Sequence, residues 1–129
     1  MVKAVIIEDE KKSRKALVGL LDRYCPNVII SGIADGMRDG LEMIRSTNPD
    51  VIFLDIQMPD GSGFKLLEQL DEINFEVIFT TAFDQYAIKA IKYSALDYLL
   101  KPIVPQELME AVKKVEDRKV AKQSDVNRN

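Results

Sequence analysis

This sequence contains no histidine, no tryptophan and only one cysteine, Cys25. Without histidine it cannot build a Ser-His-Asp triad, a Cys-His pair, a histidine zinc site or a phosphohistidine carrier. A lone thiol forms no internal disulfide and has no second soft ligand with which to share a metal, so Cys25 reads as a small buried hydrophobe. No apolar stretch approaches a membrane span. The amino terminus reaches Glu8, Asp9 and Glu10 too early for a signal peptide. These features are expected of a cytoplasmic protein with no membrane partner. Basic residues are scattered and the net charge is -3, so the chain lacks the electrostatic footprint of a nucleic-acid binder, and any DNA contact must come from elsewhere. The chemistry left to it must run on carboxylates, hydroxyls and lysine.

What is present is the composition of one soluble domain: 129 residues, 47% hydrophobic and 30% charged. Short unbroken apolar runs recur at Ala4–Ile7, Val28–Ile30, Val51–Leu54, Val77–Phe79 and Tyr98–Leu100. They are rich in β-branched residues and do not alternate with polar ones, as in strands covered on both faces. Between them apolar residues follow helical spacing: Ala16, Leu17, Leu20, Leu21 and Tyr24; Met37, Leu41 and Ile44; Phe64, Leu67 and Leu70; Ala87 and Ile91; Leu108, Val112 and Val115. Cys25-Pro26-Asn27, Asn48-Pro49-Asp50 and Pro59-Asp60-Gly61-Ser62-Gly63 punctuate the order. Strict strand–helix alternation predicts right-handed crossovers and a parallel sheet with helices on both faces. The domain is expected over 1–119, with 120–129 a linker or disordered tail, because apolar periodicity is lost after Val115.

Ligands of open parallel sheets gather beyond the carboxyl ends of the strands. There the sequence places Glu8 and Asp9 after the first run, Asp55 after the third, Thr80 and Thr81 after the fourth, and Lys101-Pro102 after the fifth. Each alone has an ordinary explanation as a helix cap, a strand residue or a turn. Together they are harder to dismiss, because two carboxylates ~4 Å apart repel by roughly 4 kcal/mol at an effective dielectric of ~20. A cation relieves that repulsion, and an all-oxygen site favours Mg2+, Mn2+ or Ca2+ over zinc. A carboxylate beside such an ion can attack phosphorus and become an acyl phosphate, with Lys101 and Thr81 placed to hold the phosphoryl oxygens.

Ile6-Ile7-Glu8-Asp9-Glu10, Leu54-Asp55-Ile56-Gln57-Met58-Pro59 with Gly63 beyond, Phe79-Thr80-Thr81-Ala82 and Tyr98-Leu99-Leu100-Lys101-Pro102 together resemble the receiver domain of two-component response regulators. The segment from Ala82 to Pro102 resembles the LytTR subgroup in particular. The resemblance implies a doubly wound α/β fold of the flavodoxin-like kind, with five parallel strands ordered 2-1-3-4-5. It implies Asp55 as phosphoacceptor, and Asp9, Asp55 and the Gln57 carbonyl as ligands of Mg2+, with Mn2+ as a substitute. Glu8, which stands where aspartate is commoner, would act through water. Thr81, Ala82, Tyr98 and Lys101, the last before a cis Pro102, would bind the phosphoryl group and form the switch. A sensor histidine kinase would be the donor. The resemblance further implies a fragment of a longer regulator whose LytTR DNA-binding domain follows; a stand-alone receiver acting through protein contacts is the alternative.

Two further expectations concern the fourth helix and the phosphoryl lifetime. Tyr86, Ala90 and Tyr93 form a stripe beside Ala87 and Ile91, giving more apolar width than docking requires, so this stripe is expected to form a homodimer face with the fifth strand and fifth helix. Gln57 and Phe83, each two residues beyond a site residue, are expected to flank the phosphoryl group, with Phe83 obstructing water. A phosphohydrolase with an aspartyl nucleophile is the rival enzymatic reading, but Gln57 occupies the place of its general acid. The chain is therefore not expected to turn over external substrates.

Overall fold

A computed structural model describes residues 1–128, with side-chain surroundings through Asp125. The apolar runs become β1 (Val2–Ile7), β2 (Val28–Ala34), β3 (Val51–Asp55), β4 (Glu76–Thr81) and β5 (Asp97–Leu100). The helices between and after them are α1 (Lys11–Tyr24), α2 (Met37–Thr47), α3 (Gly63–Glu68), α4 (Ala87–Lys92) and α5 (Pro105–Arg128). The strands lie in one parallel sheet ordered β2-β1-β3-β4-β5. A short antiparallel ribbon, Gln57–Met58 against Gly61–Ser62, follows β3 outside that sheet.

The pleat divides the core in two. Val5, Ile7, Ile52, Leu54 and Phe79 face α2, α3 and α4, while Ala4, Ile6, Phe53 and Ile78 face α1 and α5. β3 is buried along its whole length; each large apolar side chain enclosed in this way stabilises the fold by about 1.5–3 kcal/mol relative to exposure. The edge strand β2 departs from the expectation of two covered faces, since Ile29 and Ile33 remain exposed. Local signals end the helices as read. Asn48 adopts a left-handed conformation (φ 50°) that closes α2, its N–H donating to the Ile44 carbonyl at 3.1 Å. Cys25 caps α1 and is buried.

The expectation for α4 needs revising. Ile91, taken as a docking residue of α4, is 74% exposed, and Ile88 is 75% exposed. Ala90, assigned to the homodimer face, is instead buried, with Tyr86 and Tyr93 packed against the same core. Tyr93 lies 4.9 Å from the Phe64 ring, centroid to centroid. Both stripes have helical spacing, so periodicity could not choose between them; the two tyrosines bury more apolar surface and prevail. α5 continues through Arg128, into the stretch expected to be a linker or disordered tail. Loss of apolar periodicity after Val115 removed packing, not helicity, because alanine, lysine, arginine and glutamine are good helix formers. Asn129, the last residue of the expected tail, lies outside the described residues.

Candidate functional site

Strand register assembles the site. Ile7 lies opposite Leu54 in the β1–β3 pair, so Glu8 and Asp55, the next residue of each strand, emerge side by side. Asp55 is itself opposite Thr80, and Thr81 is opposite Leu100, which brings Lys101 to the same edge. Adjacent strands are about 4.8 Å apart, within reach of these side chains. Glu8, Asp9 and Asp55 each offer a carboxylate oxygen, all within 4.8 Å of one another. Glu8 is 3% and Asp55 6% exposed.

The charges are poorly balanced. Lys101 forms an ion pair with Glu8 Oε1, while its Nζ stands 3.7 Å from Asp55 Oδ1. Burial, followed by the neighbouring Glu8 charge, pushes the Asp55 carboxyl up to about 8; Lys101 offsets only part of this, and hydrogen bonding with the Glu8 and Asp9 carboxyls adds to the rise. A divalent cation fits such a donor set, since three crowded carboxylates supply hard oxygen ligands with negative charge to neutralise.

The remaining expected residues lie on β4 and β5 and in the loops that follow β3, β4 and β5. Thr81 is fully buried, its Oγ1 accepting from the Phe83 amide at 3.2 Å. Ala82 is exposed at the end of β4. The Tyr98 hydroxyl donates to the Phe83 carbonyl, tying β5 to the loop before α4. The Lys101–Pro102 peptide is cis. Gln57 is exposed, and its side-chain amide donates to the Tyr86 hydroxyl at 2.8 Å. Phe83 packs edge-on against Tyr86 with ring centroids 6.3 Å apart. Gly63 permits the loop to return over the site, because a Cβ there would lie 2.5 Å from the Asp55 carbonyl oxygen.

Sequence reasoning missed two features. Arg14 Nη1 donates to the carbonyls of both Glu8 and Asp9 at 2.9 Å, pinning the turn that carries those acids. No local pattern distinguishes Arg14 from the lysines around it, and the contact depends on how α1 folds back. The second is an open groove of about 760 Å³ between α1 and the loop after β5. Leu17, Leu20, Tyr24 and Ile103 line it, Lys12, Lys15 and Arg23 contribute positive charge, and Glu8 and Lys101 belong to both groove and acid cluster. Among the described residues, no helix is long and apolar enough to cross a membrane.

Comparison with known proteins agrees with this geometry. The family model described as the response regulator receiver domain matches residues 4–113. A response regulatory protein of Vibrio parahaemolyticus is 46% identical over 125 residues, covering 96% of this chain and 50% of the relative. The sensory transduction protein LytT of Bacillus cereus is 38% identical over 121 residues, covering 92% of this chain and 49% of the relative. The chain thus spans about half the length of these curated relatives. Among solved structures, the REC domain of AraT, a response regulator from Geobacillus stearothermophilus, superposes with a TM-score of 0.85 at 32% identity, covering 95% of this chain and 98% of that one.

Proposed function

We propose, from the premise that this chain belongs to the response regulator receiver domain family, that it accepts a phosphoryl group on Asp55 and converts that event into a change of surface. The carrying observation is the acid cluster: three carboxylates within 4.8 Å of one another, with the Lys101 ammonium 3.7 Å from Asp55. A bound Mg2+, or Mn2+ in its place, would supply positive charge against the phosphoryl oxygens. Asp9, Asp55 and the Gln57 carbonyl would hold it, with Glu8 acting through water.

An ionised Asp55 oxygen attacks phosphorus, a P–O bond forms, and the P–N bond of the donor's phosphohistidine breaks with its electron pair returning to the imidazole. The donor is a sensor histidine kinase. The α1 groove supports this reading because it shares Glu8 and Lys101 with the cluster, so a protein delivering the group to Asp55 also covers the groove. Its basic rim suits an acidic, partly apolar kinase surface.

The phosphoryl group adds about -1.5 to -2 charges. Lys101 leaves Glu8 for it, and the Thr81 hydroxyl turns toward it and gives up the Phe83 amide. The Tyr98–Phe83 link then loosens, and the loop before α4 shifts. We assign the output face to the exposed apolar side chains of α4 and β5, Ile88, Ile91 and Leu100. Lys92 on α4 and Glu107 and Glu110 on α5 are exposed and of opposite charge, so a two-fold pair in which each α4 faces the partner's α5 would bring them together. We assign this face to a second copy on phosphorylation, with DNA reached through a LytT-like effector domain outside this chain.

Incubation with a small acyl phosphate and Mg2+ should add the mass of one phosphoryl group to the parent chain and nothing to Asp55→Asn. Uptake retained in Asp55→Asn would overturn the assignment. Phe83→Ala should shorten the acyl-phosphate lifetime by opening the path of water, read from the same mass spectra over time.

A further inference from the structure

Three residues after the Gln57 carbonyl assigned above, the loop makes a contact that none of the preceding chemistry uses. α2 begins at Met37 without a cap of its own: its N-cap residue is Gly36, which has no side chain to offer. The Asp60 carboxylate, at the tip of the ribbon that follows β3, supplies the cap from a distant part of the chain. Its Oδ1 accepts from the Met37 amide at 2.9 Å and its Oδ2 from the Arg38 amide at 3.2 Å. Those two amides are also what hold the Asp60 carboxyl below its ordinary range. Beside it, Gly61 adopts φ +148°, and a Cβ there would lie 2.7 Å from Met37 Sδ, so the ribbon sits against α2 as closely as a glycine backbone allows.

The opposite end of the ribbon is tied down as well. Gln57 donates to Tyr86 just before α4, and the Gly63 amide donates to the Ile56 carbonyl at 2.9 Å. Ile56, Gln57 and Met58 therefore leave Asp55 in a segment attached to α2 at its tip and to the α4 side at its base. We infer that Asp60 is a positioning residue for the acid cluster: by capping α2 from the ribbon tip it fixes the path of the chain leaving Asp55, and with it the Gln57 carbonyl. This rests on the metal-site reading above. Asp60 touches neither the ion nor the phosphoryl group.

Partners that orient metal ligands typically alter affinity by about 10–100-fold when removed. Asp60 acts through two intervening residues, Met58 and Pro59, so the expected change lies at the lower end. Mg2+ titrated calorimetrically into the chelator-treated chain should bind Asp60→Ala about 10-fold more weakly than the parent. Asp60→Asn, whose amide oxygen still accepts a backbone N–H, should recover most of that loss. Hydrogen exchange should rise at the Met37 and Arg38 amides and along residues 56–62 in Asp60→Ala. Gly61→Ala perturbs the same contact from the ribbon side and should weaken Mg2+ binding in the same direction; it serves as the independent variant should circular dichroism reveal Asp60→Ala to be unfolded. Parent-like Mg2+ affinity in a folded Asp60→Ala or Gly61→Ala whose Met37 and Arg38 amides have lost protection would overturn the inference while leaving the metal site standing. Failure of the parent chain to bind Mg2+ would overturn the metal reading and this one with it.

Discussion

β3 is preceded by one aspartate and ends on another, and the two live in opposite electrostatic worlds. Asp50, just before the strand, accepts from the Lys3 amide at 2.8 Å and from the Lys119 ammonium at 3.1 Å. Burial opposes its ionisation, but these partners outweigh that cost and hold its carboxyl below the ordinary range. Nearby, Glu76 is paired with Arg118 at 2.9 Å. Asp55, the last residue of the strand, meets two more acids and shares one lysine with them, and its carboxyl is pushed up to about 8. One edge of the sheet is electrostatically satisfied and holds α5 in place. The other crowds three acids around one lysine, so that Asp55 keeps its proton up to about 8, and a cation would take over that neutralising role.

The largest test of this contrast is stability against pH without metal. Asp55 is protonated in the folded chain up to about 8 but ionises in the unfolded chain near 3.8. Between those values the folded state holds the extra proton, so stability should fall as pH rises across the window, by on the order of a few kcal/mol. Urea unfolding in chelator at pH 5 and pH 8 should reveal the loss in the parent and a much flatter profile in Asp55→Asn. Saturating Mg2+ should flatten the parent profile too, because the cation takes over the neutralising role of the proton.

Asp50→Asn should behave in the opposite sense. A depressed carboxyl contributes stability above its unfolded value, and that contribution is lost as pH falls through the folded one. At pH 7 the substitution should cost about 1 kcal/mol, the ordinary worth of such hydrogen bonds, and the cost should fade in acid. A parent and variant that differ equally at pH 7 and under strongly acidic conditions would break the comparison. A smaller effect is expected for Ile91→Glu on α4: stability should be nearly unchanged, since the side chain is already exposed, while phosphorylation-dependent dimers should disappear in sedimentation velocity. Least of all, Lys113→Gln should leave the melting temperature within experimental scatter, because the Lys113–Asp117 pair is largely exposed.

Much of this was readable before any coordinates. Glu8, Asp9, Asp55, Thr81 and Lys101 sit at the ends of apolar runs, and a parallel sheet has only one carboxyl edge on which to place them. The strand–helix rhythm required that architecture. α4 was legible as a helix but not in its orientation: Ile91 and Ala90 exchanged roles because two overlapping stripes had the same period and only the Phe64 ring distinguished them. α5 was legible as far as its apolar stripe ran; beyond Val115 its helicity rests on good helix formers, and its Arg118 and Lys119 reach acids at the far edge of the sheet.

The sequence by itself determined which chemical groups reach the functional edge, because strand ends and side-chain types are local properties. The tertiary structure decided that Asp50 is comforted and Asp55 burdened, that Arg14 pins the acidic turn, and that Asp60 caps a helix to which it is not joined. Each of those depends on a partner many residues away, and the strength of an electrostatic contact is set by distance and burial, which exist only once the chain has folded.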